Sequence, residues 1–177
     1  VDSGSLYAAR HVAEVIDRCV AEKGRCVLAL GAGMGTLSIY NHLIAMHRRG
    51  EVSFKNVVIF NLCEFFPLLP GGLREVFLDH VDIPDENVHT ISAAVTMESM
   101  FDFCKEYERQ VDDCGGIDLT LCEIGPGGAL GLNEPGSRST GICRLVLLSG
   151  AMRQLIQDSY KCDECPTTGI TLGLGNI

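Results

Sequence analysis

At 177 residues the chain suits one domain, and its 46% hydrophobic and 21% charged content is that of a globular fold, not a disordered segment. Twenty-three acidic against fourteen basic residues leave a net charge of −9, which excludes the basic stripe of a nucleic-acid-tracking surface. No apolar run approaches the ~20 residues that span a bilayer, and the opening Val-Asp-Ser-Gly-Ser-Leu has neither the basic nor the apolar part of a secretory signal. A cytoplasmic protein without a membrane or nucleic-acid partner is expected.

Leu6, Ala9, Val12, Ile16, Cys19 and Val20 recur at helical spacing and predict a helix over 5–22, closed by Lys23-Gly24. Residues 25–30 form an apolar run of strand length, stopped by Gly31-Ala-Gly-Met-Gly35. A helix is expected over 36–49, closed by Gly50, and a second buried strand over 56–62. A Pro/Gly break at 67–72 precedes a short helix over 73–80 and a short extra strand at 88–91. A longer amphipathic helix is predicted over 96–113, with Met100, Phe103, Cys104 and Tyr107 on its apolar side. A third strand over 117–124 leads into a glycine-rich loop at 125–136. Further strands follow at 143–148 and 170–174. Strands that are apolar throughout and separated by helices predict a three-layer α/β/α domain around a parallel sheet, with 25–30, 56–62 and 117–124 at its centre.

Sites in such sheets lie at the carboxyl ends of the strands, so three loops matter. Gly31-Ala-Gly33-Met34-Gly35-Thr36 is a strand-to-helix turn in which bare glycines let a ligand approach the backbone. The helix that follows offers unpaired N–H groups to an anion, and Thr36 adds a hydroxyl or a cap. Asn61-Leu-Cys63-Glu64 places a thiol and a carboxylate at the end of the second strand. The third loop ends in Asn133-Glu134-Pro135, which puts one carboxylate at the mouth of the expected pocket. All three loops are expected to share that pocket, as a site for a phosphate or sulfate group.

The nine cysteines, at 19, 26, 63, 104, 114, 122, 143, 162 and 165, are scattered through apolar stretches, as thiols that pack like small hydrophobes would be. Cys162-Asp-Glu-Cys165 is the one close pair. No second pair or matching histidines accompany it, so no metal site is expected.

The segment Val-Leu-Ala-Leu-Gly-Ala-Gly-Met-Gly by itself resembles the first motif of S-adenosylmethionine-dependent methyltransferases, which is the alternative reading. The ordered set Leu-Ala-Leu-Gly-Ala-Gly-Met-Gly-Thr-Leu-Ser-Ile-Tyr, Val-Val-Ile-Phe-Asn-Leu-Cys-Glu-Phe, Leu-Asp-His-Val-Asp-Ile-Pro-Asp-Glu-Asn-Val and Gly-Pro-Gly-Gly-Ala-Leu-Gly-Leu-Asn-Glu-Pro-Gly-Ser resembles the glucosamine-6-phosphate deaminase (isomerase) family from about residue 8 onward. That resemblance implies a modified Rossmann-like sheet and a sugar-phosphate ligand. It also implies conversion of glucosamine 6-phosphate to fructose 6-phosphate and ammonia with no metal or organic cofactor. Gly33, Met34, Gly35, Thr36 and Asn133 are then the expected substrate-binding residues, and Glu134, Cys63 and Glu64 the expected catalytic set.

The chain departs from that pattern at its chemistry. Cys63-Glu64-Phe65 stands where the family has Asp-Glu-Tyr, whose Asp shuttles the proton between C1 and C2. Gly127 and Ala129 stand where the family has its ring-opening Asp and His, and Glu134 corresponds to the family's orienting carboxylate. The 66–73 stretch is shorter than in the family. Residues 1–177 are read as one such domain that stops before the C-terminal part in which the family has a phosphate-binding Lys, and a truncated domain and omitted segments both stay open. The resemblance therefore implies deaminase activity that is very weak or absent. Glu64, Glu123 and Glu134 are the carboxylates left to supply a base, and homo-oligomerisation stays open.

Overall fold

The computed structural model describes residues 2–92, 94–96, 98–162 and 164–177. Helix α1 (Ser3–Lys23) starts where the Asp2 side chain accepts the Ser5 amide at 3.2 Å and stops at Gly24. Gly24 takes φ 81°, a left-handed conformation that costs a residue without Cβ little, and donates its N–H to the Val20 carbonyl. Strand β1 (Cys26–Leu30) is buried at every position and pairs in parallel with β2 (Val57–Asn61), in register from Cys26 opposite Val57 to Leu30 opposite Asn61. The two-residue β4 (Val88–His89) pairs with the far side of β2, and β5 (Leu119–Leu121) with the far side of β1, both in parallel.

Alternation along these strands builds the layers. Cys26, Leu28 and Leu30 of β1 and Val57 and Ile59 of β2 pack with α1 and α2 (Leu37–Arg48). Val27, Ala29, Val58 and Phe60 face the other way, onto Met100, Cys104, Tyr107 and Val111 of α4 (Met100–Asp113). Burying both faces is what makes the strands apolar throughout, and each fully buried large side chain contributes ~1.5–3 kcal/mol. The three-layer α/β/α expectation is met.

Several expectations are corrected. The third strand is shorter than 117–124, since the Asp118 carboxylate turns back to accept the Val27 amide at 2.8 Å and residues beyond Leu121 leave toward a cavity. It lies at an edge of the sheet because the strands at Arg144–Leu147 and Thr168–Thr171 pair elsewhere. The helix expected over 73–80 is a four-residue α3 (Leu73–Val76) followed by a 3-10 turn at Leu78–His80. The helix expected over 96–113 begins at Met100, and Met97 lies outside the described residues.

The last two strands do not join the parallel sheet. β6 (Arg144–Leu147) and β7 (Thr168–Thr171) form an antiparallel sheet with β3 (Cys63–Phe66), a segment expected as loop. β7 is its central strand, with Cys63 and Arg144 both in register with Thr171. Leu62 joins the two sheets, since its amide donates to Leu30 at 2.8 Å and its carbonyl accepts from Leu172 at 2.9 Å. Helix α5 (Gly150–Tyr160), absent from the sequence reading, covers this second sheet with Met152 and Ile156.

Candidate functional site

A cavity of about 200 Å³ opens at the carboxyl ends of β1, β2 and β5. Its walls are the glycine turn after β1, residues 62–65 and 69–72, Cys122, Glu123, Gly125, Gly131 and Leu132, and the Leu155–Tyr160 end of α5. The first two loops expected at the site therefore meet, and part of the third joins them. Among the described lining residues there are two carboxylates, Glu64 and Glu123, and no Lys, Arg or His.

The turn is built by its own polar groups. The Thr36 hydroxyl lies 3.1 Å from the Gly31 carbonyl and 2.8 Å from that of Gly33, and the buried Tyr40 hydroxyl also donates to Gly31. Thr36 is itself buried, whereas Met34 is exposed at the rim. The backbone N–H groups of Gly35 and Thr36 point at one acceptor, Oε1 of Glu123, with Thr36 at 3.1 Å.

On the opposite wall, burial pushes the Cys63 thiol up to about 12, with Glu64, Cys122 and Glu123 adding to the shift. The thiol is protonated at neutral pH and is neither a base nor an activated nucleophile. Burial also raises the Glu64 carboxyl above its ordinary value, although the Phe65 amide, donating to Oε1 at 3.1 Å, works against that. The Tyr160 hydroxyl, from α5, is raised by burial too.

Asn133 and Glu134 are not among the residues that line the cavity, against the expectation of one shared pocket. The Asn133 amide nitrogen donates to Leu130 at 2.9 Å and to Leu172 at 2.8 Å, so the side chain braces the third loop against the second sheet. Glu134 accepts the Ser149 amide at 3.0 Å, at the head of α5. Gly127 takes φ 68° and carries no side chain, and Ala129 is wholly buried with Leu132, Leu148, Met152 and Ile156. Ser159, Tyr160 and Cys122 are lining residues that the sequence reading does not single out. The signal for α5 was present in Ser149 as an N-cap and in the spacing of Met152, Leu155 and Ile156.

At the opposite end of β1, ligand atoms of Cys19, Cys26 and Asp118 lie within 4.8 Å of one another. Asp118 there is already engaged by Lys23 and Val27. All nine cysteines are free, and Cys19, Cys26, Cys104 and Cys143 are buried as small hydrophobes. Among the described residues no helix is long and apolar enough to cross a membrane.

The fold is shared with solved structures of 6-phosphogluconolactonases and of a glucosamine-6-phosphate deaminase. It superimposes on a 6-phosphogluconolactonase from Thermotoga maritima with a TM-score of 0.71, over 97% of this chain and 74% of that one, at 17% identity. A monomeric glucosamine-6-phosphate deaminase matches with a TM-score of 0.86 and 29% identity, over 98% of this chain and 73% of the other. In sequence, a glucosamine-6-phosphate deaminase-like protein of Bacteroides thetaiotaomicron is 37% identical over 186 aligned residues, covering all of this chain. The chain spans only 28% of that relative's length. Glucosamine-6-phosphate deaminase of Thermoanaerobacter sp. is 34% identical over 95% of this chain and 69% of its own. No protein-family model matches the chain. The chain belongs to the glucosamine-6-phosphate deaminase family, and none of these similarities supports the methyltransferase alternative.

Proposed function

We propose that the cavity is a sugar-phosphate site that has kept the family's frame and lost most of its acid–base chemistry. Binding of a sugar phosphate, with deamination of glucosamine 6-phosphate very weak or absent, is the reading. The observation that carries it is the lining itself: among the described residues no histidine reaches the cavity, and the wholly buried Ala129 packs where the family would place one. Opening a sugar ring and moving a proton between C1 and C2 need groups that change protonation near neutral pH, and such groups contribute ~10²–10⁴ to the rate. The Cys63 thiol, held up to about 12, does not supply one. Gly33, Met34, Gly35 and Thr36 form the anion end of the site. Asn133 and Glu134 act as positioning residues, through the third loop and α5. Nine free thiols suit the reducing cytoplasm as the compartment.

The test is ammonia release from glucosamine 6-phosphate beside a calorimetric titration with the same compound. Saturable binding with little turnover is expected; turnover at ~1–10³ s⁻¹, the ordinary range of enzymes, overturns the reading. One observation favours a second reading, in which turnover of another sugar phosphate persists. Glu64 is held protonatable by burial inside the cavity, as an acid–base group would be. Cys63→Ser combined with Glu64→Gln separates the two, leaving binding intact under the first and abolishing turnover under the second.

A further inference from the structure

The N–H groups at the head of α2 already hold an anion, and it is the chain's own. Glu123 follows the end of β5, and its Oε1 accepts from both Gly35 and Thr36. The carboxylate fills the space that the bare backbone leaves: a Cβ placed on Gly35 would fall 2.9 Å from Oε1, and one on Gly33 closer still. Glu123 is an exposed residue, so its side chain has solvent to swing into. Nothing cationic in the described lining offsets its charge or that of Glu64.

We propose that Glu123 is an internal competitor for the phosphate-binding turn, and that a phosphate group seats there only after this side chain has moved out. The inference rests on the reading of the cavity as a sugar-phosphate site and assigns the residue that sets its affinity. Both N–H groups point at the same Glu123 oxygen, so a phosphate oxygen finds neither proton free while the carboxylate stays in place. A tethered carboxylate competes at the effective concentration of an intramolecular ligand, in the mM range or above. The repulsion between Glu123 and an incoming dianion acts in the same direction, reduced by the solvent that reaches this exposed carboxylate. Ligand entry is therefore coupled to a rotamer change at Glu123, and the closed arrangement is the one observed.

The experiment titrates wild type, Glu123→Gln and Glu123→Ala with inorganic phosphate and, separately, with glucosamine 6-phosphate and unphosphorylated glucosamine. Affinity for inorganic phosphate is expected to rise about tenfold or more in Glu123→Ala, with a smaller gain in Glu123→Gln, which keeps the acceptor oxygen but not the charge. The Gly35 and Thr36 amide resonances are expected to shift in the ligand-free Glu123→Gln protein. That near-isosteric variant keeps the test valid if Glu123→Ala folds poorly. Equal phosphate affinity in all three proteins, or no phosphate binding by any, overturns the proposal. Tighter wild-type binding of glucosamine than of its 6-phosphate also overturns it, since the carboxylate would then be a ligand for the amine. A gain for inorganic phosphate with no preference for glucosamine 6-phosphate over it leaves the competitor standing and removes the sugar-phosphate reading.

Discussion

Glu134 and Ser149 are joined by a single hydrogen bond, the Ser149 amide donating to the Glu134 carboxylate at 3.0 Å. Ser149 in turn accepts the Met152 amide on its hydroxyl at 3.2 Å, so the third loop and the start of α5 are fastened together. The far end of the same helix carries Ser159 and Tyr160 into the cavity. The acidic side chain at the third loop thus bears on the site through a helix.

Replacing Glu134 tests that placement. Glu134→Ala should cost about 1 kcal/mol, the ordinary worth of a lost helix-terminal partner, measured by urea denaturation. Glu134→Gln keeps an acceptor oxygen and should stay within about half of that loss. Weaker ligand binding in the Ala variant, with the Gln variant near wild type, is the result expected of a positioning residue.

Asp82 should govern part of the acid limb of stability. Burial by itself raises its carboxyl, but the Phe54 amide at 2.7 Å, the Ser53 hydroxyl at 2.8 Å and His47 at 3.5 Å outweigh burial and lower it. A lowered folded value stabilises above the unfolded one, ~3.9, and the contribution is lost as pH falls through the folded value. Asp82→Asn should therefore be less stable than wild type near neutral pH, with the gap closing below about pH 4. A gap that is the same at pH 7 and pH 2.5 would refute the assignment.

Glu64 should behave in the opposite sense. Its folded value is raised by burial, so its contribution is fully present below the unfolded carboxylate value and is lost as pH rises through the folded one. Glu64→Gln is expected to match wild type in acid and to become the more stable protein toward neutrality. Thermal melts across that range read the crossover.

Gly173 is the position least able to carry a side chain. A Cβ there would collide with the Gly141 carbonyl and the Ile142 amide, which are backbone atoms that no rotamer change can clear. Gly175 also donates to Gly141, at 2.8 Å, which fixes the two segments at that spacing. Gly173→Ala should cost ~1–3 kcal/mol or more, against little change for Gly72→Ala, whose Cβ would meet open space.

What the sequence displayed, and what it hid, follows from where the ordering information sits. β1 and β2 are buried on both faces, so their apolar runs are unbroken and readable. The second sheet is half-covered, its strands β3 and β6 carry Glu64 and Arg144, and its pairing depends on residues far apart in the chain. Glu123 sits within the stretch that reads as strand to residue 124, yet the ladder ends at Leu121, and two amides of the glycine turn then take up its carboxylate. Nothing in the local pattern encodes that partnership. Asn133 and Glu134 are legible as unusual polar residues after a glycine loop. Their use as braces depends on Leu172 and Ser149, which no spacing rule connects to them.

The central place of β7 in the second sheet has a kinetic consequence. β3 hydrogen-bonds to β7 and not to β6, so it gains no sheet partner until a strand much later in the chain has arrived. Loop closure from β3 to β7 is slow relative to pairing β1 with β2, whose partners lie much closer in the chain. The β1–β2 pair should consequently be protected from amide exchange early in refolding. Cys63 and Glu64 should gain protection last, so the cavity wall they form closes only when nearly the whole chain is in place.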